Sequence, residues 1–339
     1  MKQMKVTLAA VLVLMLLTLT ACGGKEKAAE PAKDAGDKKL TDVKIALDWT
    51  PNTNHTGIYV AKEKGYFTEQ GLNVDIVLPG SNTSMAMVGA GNAEFGIGVQ
   101  ESITQGRLQG VPVVSIGAII QHNTSGFASP VAKNIKSPKD FEGKKYGGYG
   151  SPAEAAVIES LMQTQNADYK KVTSINIGEA DYFTAVKRDV DFSWIYYAWT
   201  GIEAELRKEP VNMIYLTDYS DKLDYYTPVV IASEKLLKEK PELAKAFMAA
   251  VSKGYEYAIA SPEDAANILI KAVPELNKEL VIASQKWLSP RYKAEATRWG
   301  EQKRSVWENY SNWMFDHKLL EKKLDVDTAF TNDFLPKAN

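Results

Sequence analysis

Residues 48–61, DWTPNTNHTGIYVA, restrict the fold more than any other stretch of the chain. Ahead of them Val43, Ile45 and Leu47 alternate with Lys44, Ala46 and Asp48, the period of a strand with one face inward. Pro51 ends that strand, because proline has no N–H to give to a ladder. Asn52, Thr53 and Asn54 are turn and N-cap types, and residues 55–64 read as a short helix stopped by Gly65. Strand, polar turn and helix open a βαβ unit, and in open α/β sheets the loop after such a strand borders the ligand crevice. Trp49, Asn52 and His55 are therefore candidate binding residues. Plainer readings stand beside two of them: Trp49 as a core ring, and His55 as a satisfied cap.

The chain has 339 residues, 45% hydrophobic and 24% charged, with a formal charge of −2. That is core enough for two domains, and it offers no basic stripe to nucleic acid. Only the start departs from this composition. Lys2 and Lys5 precede an apolar run, 6–19, too short to span a bilayer comfortably and followed by Leu19, Thr20, Ala21 and Cys22. The pattern predicts a signal peptide over 1–21 and a lipobox, with Cys22, the only cysteine, as the lipidation site. Two acyl chains on it give stable anchoring. Residues 22–41, rich in Ala, Lys, Glu, Asp and Gly, read as a flexible tether.

Further strands are expected at 73–78, 95–99 and 112–119. Gln100, directly after the second of these, either faces the crevice or opens a solvated helix. Around 125–130 the apolar rhythm lapses into small residues, which places a crossing between domains there. A new βα series starts at Lys144: a strand runs into Gly147, Gly148, Tyr149 and Gly150, and Ser151 to Glu154 form a capping box with Pro152 at the first helical position. Tyr149, Gly150 and Ser151 either present amides to a carbonyl or anion or make a tight turn. No Walker or GxGxxG spacing supports a nucleotide phosphate.

Strands at 172–177 and 190–195 lead into the densest aromatic cluster, Trp194, Tyr196, Tyr197 and Trp199. One core rarely absorbs so many large rings whose N–H and O–H groups need partners. Trp194 reads as core, Tyr197 and Trp199 as walls of a flat pocket, and Glu203, one turn on, as either a crevice carboxylate or a solvated one. Residues 224–228 read as the return crossing. The expected units are then 42–127 with 229–339 as lobe I and 128–228 as lobe II; Trp287, Trp299, Trp307 and Trp313 are expected to pack in the helical remainder. The three histidines, His55, His122 and His317, are far apart, and neither an HExxH pair nor a GxSxG elbow is present. Aromatic and amide residues at strand ends bind rather than react, so no cofactor and no enzymatic activity are expected.

Those segments carry a resemblance. The order of lipobox, tether, DWTPNTNHTGIYVAKEKGYFTEQGLNVDIV, VGAGNAEFGIG and DFSWIYYAWTGIEAE resembles the NMT1/THI5-like family of solute-binding proteins. It is most similar to the ThiY-type lipoproteins, which present formylaminopyrimidine, a thiamine precursor, to an ABC importer. The likeness runs from residue 42 to the C-terminus. It implies the type II periplasmic-binding-protein fold, an α/β architecture of two lobes joined by two crossovers with the ligand cleft between them. It also implies an aromatic sandwich including Trp49, polar contacts from Asn52 and His55, the Gly150-Ser151 turn, and a segment of Tyr197, Trp199 and Glu203 whose carboxylate would orient an exocyclic amine. The implied partners are an aminopyrimidine, ABC permease and ATPase subunits, and a membrane reached by the lipid anchor alone. The protein would be an extracytoplasmic monomer.

The same family includes eukaryotic pyrimidine synthases that use pyridoxal phosphate. They are similar at Trp49, Pro51 and His55, but carry a cofactor lysine and a histidine where Gly98 and Ser102 stand here. Their cysteine-rich iron motif falls near 225–228, where this chain has no cysteine. Synthase chemistry is thus one alternative, and a sulfonate-like or nitrate-like ligand is another. The scarcity of arginine near the inferred crevice favours a flat, weakly charged ligand over the anions.

Overall fold

The expected alternation turns into hydrogen-bonded pairs. The computed structural model describes residues 39–80, 82–178 and 180–338; the expected signal peptide, Cys22 and the tether up to residue 38 lie outside them. Among the described residues the strands are β1 (Thr41–Ala46), β2 (Leu72–Val77), β3 (Phe95–Gly98), β4 (Val113–Ala118), β5 (Ser125–Pro130), β6 (Lys145–Gly148), β7 (Thr173–Asn176), β8 (Phe192–Tyr196), β9 (Val211–Tyr215) and β10 (Val229–Ser233). The helices before the first crossover are α1 (Thr56–Glu63), α2 (Tyr66–Glu69), α3 (Ser84–Gly89) and α4 (Gln100–Leu108). Those between the crossovers are α5 (Pro152–Thr164), α6 (Tyr182–Arg188) and α7 (Ile202–Leu206). After the return come α8 (Glu234–Glu239), α9 (Pro241–Ala260), α10 (Pro262–Ala272), α11 (Lys278–Leu288) and α12 (Arg304–Asp316). None of the described helices is long and apolar enough to cross a membrane.

Two sheets result, ordered β2-β1-β3-β10-β4 and β7-β6-β8-β5-β9. In the first, β10 runs antiparallel to β3 and β4; in the second, β5 runs antiparallel to β8 and β9. Both exceptions are the strands that a crossover delivers. The chain leaves the first sheet after β4, enters the second as β5, and returns after β9 as β10. Two α/β lobes that exchange one strand each through two crossovers are the type II periplasmic-binding-protein fold.

The segment 125–130 is therefore an interior strand of the second sheet, between β8 and β9, and the first crossover is confined to 119–124. Its small residues hid it. A Cβ on Gly126 would stand 2.2 Å from the Ile214 carbonyl oxygen, so close pairing, not alternation, dictates the sequence there. The C-terminal part is likewise shared between lobes. Trp307 of α12 lies in a first-lobe cluster with Val229 and Ile231, whereas Tyr310, Trp313 and Met314 lie in the second-lobe core with Phe127, Phe141 and Phe192.

Helices cover the first sheet by close approach of backbones. At the crossing of α1 and α9 a Cβ on Gly254 would meet the Gly57 carbonyl oxygen at 2.0 Å, and one on Gly57 would meet the Tyr255 ring at 2.3 Å. Only glycine lets the two helices touch here. That contact brings Tyr255 of α9 under the loop that follows β1.

Candidate functional site

Asn52 organises the turn after β1. Its Oδ1 accepts the Asn54 N–H at 2.9 Å, and its own N–H donates to His55 Nδ1 at 3.2 Å. An Nδ1 that accepts leaves the ring proton on Nε2, and this donates to Asp48 Oδ1 at 2.9 Å. From below, the Tyr255 hydroxyl donates to the Asn54 carbonyl at 2.6 Å and the Tyr292 hydroxyl to the Thr53 carbonyl at 2.5 Å. His55 is fully buried behind this turn. The histidine thus shapes the wall without reaching the cleft.

Across the cleft a second turn is fixed by one carboxylate. Glu154 Oε1 accepts the Tyr149 N–H at 3.0 Å and the Tyr146 hydroxyl at 2.8 Å, while Oε2 accepts the Ser151 N–H at 2.9 Å. Ser151 Oγ in return accepts the Glu154 N–H at 3.2 Å, and Gly150 takes φ +76°. Of the three amides expected to face a ligand, those of Tyr149 and Ser151 are taken by the Glu154 carboxylate instead. From this turn the Tyr149 side chain is what reaches the cleft.

The two turns enclose a cavity of about 390 Å³ between the lobes. Asp48, Trp49, Asn52 and Thr53 line it from the first lobe, Tyr149, Trp194, Tyr196 and Trp199 from the second, and Thr124, Thr227 and Pro228 from the crossovers. Among its lining residues Asp48 alone bears a charged side chain. Trp49 is 52% exposed and Tyr149 57%, and both line the cavity. Tyr196 is 44% exposed, yet its hydroxyl is hemmed in by protein. Loss of solvation, with the Glu101 and Asp48 carboxylates, pushes its phenol up to about 12 against the lowering bond to Thr227. Tyr196 is a neutral donor at any physiological pH. Deeper in, burial also raises the Glu101 carboxyl above its ordinary value, although the Tyr310 hydroxyl donates to it at 3.0 Å.

Of the residues singled out from the sequence, Trp49, Asn52, Tyr149 and Trp199 meet on this wall. His55, Gly150 and Ser151 stand behind it. Gln100 is fully buried and clasps the return crossover, its Oε1 accepting the Tyr226 N–H at 2.9 Å and its Nε2 donating to Val306 O at 3.2 Å. Tyr197 turns away, its hydroxyl bonded to Glu205 and its ring against Tyr215 and Trp287. Glu203 is off the wall too, paired with Arg207 one turn on. The wall residues not singled out as binding residues include Asp48, Trp194 and Tyr196. Trp194 and Tyr196 stand two apart in β8 and so share a face, a signal that the core reading of Trp194 passed over. A wider depression of about 700 Å³ beside Glu242, Lys245 and Arg298 has no crossover residue on its wall. Among the described residues no group of three or more His, Cys, Asp or Glu side chains is placed to hold a metal.

The family model described as NMT1/THI5 like matches residues 52–265. The chain is 28% identical over 331 residues to the formylaminopyrimidine-binding protein of Halalkalibacterium halodurans, with 95% of this chain and 97% of that protein covered. It is 24% identical over 300 residues to the 4-amino-5-hydroxymethyl-2-methylpyrimidine phosphate synthase of Legionella pneumophila, with 87% and 92% covered. Among solved structures it is similar to the alkanesulfonate-binding protein SsuA of Xanthomonas axonopodis pv. citri bound to MOPS, at a TM-score of 0.65 and 13% identity over 90% of this chain and 99% of that one. That last likeness is one of fold.

Proposed function

Since the chain belongs to the NMT1/THI5-like family, we propose that it is the extracytoplasmic solute-binding component of an ABC importer, capturing a thiamine-related aminopyrimidine of the N-formyl-4-amino-5-aminomethyl-2-methylpyrimidine type. One observation carries the ligand class: a cleft walled by Trp49, Tyr149, Trp194, Tyr196 and Trp199 whose one charged side chain is the Asp48 carboxylate. A flat heteroaromatic ring stacks on such walls, and an exocyclic amine donates to the carboxylate, fixing a rotation that stacking leaves free. A sulfonate or nitrate would meet a carboxylate and no cation on this wall. Gly98 of β3, at the position where the synthases resembling this chain carry lysine, offers no amine for an imine. The protein from Halalkalibacterium halodurans, similar over nearly its whole length, is named for the same ligand class.

Cargo held between two lobes is delivered when a permease and its ATPase open them. Lipidation of Cys22 would keep the protein at the membrane where that permease lies. Calorimetric titration with the formylaminopyrimidine, its des-amino analogue and an alkanesulfonate tests the ligand. Binding is expected in that order of affinity, and an alkanesulfonate that binds tightest refutes the reading. Separately, Cys22→Ser is expected to release the protein from washed membranes without changing its melting temperature; a variant that stays with the membrane refutes the anchor.

A further inference from the structure

The second lobe's wall rests on a helix of the first lobe. Residues Tyr197–Gly201 form a π-helical turn that carries Trp199 to the cavity, and π turns are uncommon distortions that recur at functional sites. Two successive residues of it meet α11, whose Leu288 is anchored in the first lobe's core, and the next packs on a cluster that α10 and α11 share. The Tyr197 ring lies 5.2 Å from the Trp287 ring. The Ala198 carbonyl accepts the Ser284 hydroxyl. Trp199 packs on a buried cluster that includes Ala266, Leu269 and Val281. Val281, Ser284 and Trp287 are spaced by three, one stripe of a helix.

The hydrogen-bond polarity is determined. A carbonyl only accepts, so the one Ser284 proton goes to Ala198, and the Thr53 hydroxyl, 2.7 Å from Ser284 Oγ, must donate to it. Thr53 lies on the first-lobe wall and Ala198 on the second, so the relay ties both walls together through a serine that is itself off the cavity. Trp287 is also braced by Arg291, whose guanidinium stands 3.6 Å from its ring centre and donates to its carbonyl.

We propose that the Val281, Ser284 and Trp287 stripe of α11 is the seat that holds the π-helical turn, and with it Trp199, closed on the ligand. Ser284 and Trp287 are then positioning residues that govern how fast ligand leaves, although neither touches it. The proposal deepens the aminopyrimidine reading and uses that ligand as its probe.

The experiment measures release of N-formyl-4-amino-5-aminomethyl-2-methylpyrimidine by stopped-flow tryptophan fluorescence. Amide exchange of 197–201 in the unliganded protein is followed beside it. Ser284→Ala is expected to raise koff by roughly fivefold, the worth of one net hydrogen bond. Trp287→Ala should do at least as much while Trp287→Phe, which keeps a ring against Tyr197, recovers most of the wild-type rate. Exchange of 197–201 should quicken in Ser284→Ala and Trp287→Ala while that of β1 and β6 does not. Release at the wild-type rate in both variants overturns the seat, and so does faster release with unchanged protection of the turn. Should the wild type not bind the probe, the ligand reading fails, and exchange alone decides: quickened exchange upholds the seat, unchanged exchange removes it.

Discussion

The buried imidazole of His55 donates its Nε2 proton to Asp48 Oδ1 across 2.9 Å, and Asp48, not His55, lines the cleft. The two act as a unit in which one residue points and the other contacts. Asp48→Asn is expected to weaken binding of the aminopyrimidine by roughly tenfold to a hundredfold, the range of a charge-assisted hydrogen bond. Its effect on the des-amino analogue should be small. Equal losses for both ligands in calorimetry would show that Asp48 does not read the amine.

Trp49 and Glu203 separate the cleft from its surroundings. With Trp49 half-exposed on the cleft wall, Trp49→Ala should weaken binding by roughly tenfold to a hundredfold through lost stacking. Its melting temperature should fall far less than that of a core tryptophan variant. Glu203 pairs with Arg207 off the wall, so Glu203→Gln should leave affinity unchanged. A selective loss of amine-bearing ligands in that variant would move Glu203 back into the site.

His122 makes stability depend on pH. It bonds Asp224 across Nδ1 at 2.6 Å and Glu295 across Nε2 at 2.9 Å, joining the first crossover, the return crossover and the segment before α12. Lys303 pairs with the other Glu295 oxygen at 2.7 Å. The Asp224 bond first, and Glu295 with it, lifts the imidazole from 6.5 to about 9 against partial burial. A folded-state value above the unfolded one means the contribution is complete below about 6.5 and gone above about 9. Melting temperature should therefore decline across that window, and His122→Gln should remove most of the decline. The half-exposed site keeps the effect modest. A wild-type curve flat from pH 6 to 9.5 contradicts it.

Gly57 is a packing requirement. With the Tyr255 ring 2.3 Å from where a Cβ would stand, Gly57→Ala should destabilise by roughly 1–3 kcal/mol through overpacking. It should also disturb the Asn52 turn, which Tyr255 supports through the Asn54 carbonyl. Denaturant melts and ligand titration of the same sample check both effects.

The place of the cleft was legible because its signals are local. The alternation of Val43, Ile45 and Leu47, the break at Pro51 and the caps at Asn52 and Ser151 mark strand ends, and ligands gather at strand ends in α/β sheets. β5 was not legible. A buried strand chosen for close pairing, as at Gly126, carries no alternation to read. The capping role of Glu154 was legible too, but not its consequence, that the Tyr149 and Ser151 amides are already taken.

The sequence by itself determined the strands and helices other than β5 and the concentration of rings after β1 and in β8, since periodicity, capping and composition act over a few residues. Which rings and which carboxylate face the ligand was decided by the tertiary structure. Neighbours in the chain part company there: Tyr196 lines the cavity while Tyr197 meets Glu205 and Trp287, and Asp48 enters while His55 is held behind it. The partners that settle these orientations, Tyr255, Ser284, Trp287 and Tyr292, come from segments some 90 to 240 residues away. No local pattern can specify a direction that a distant element imposes.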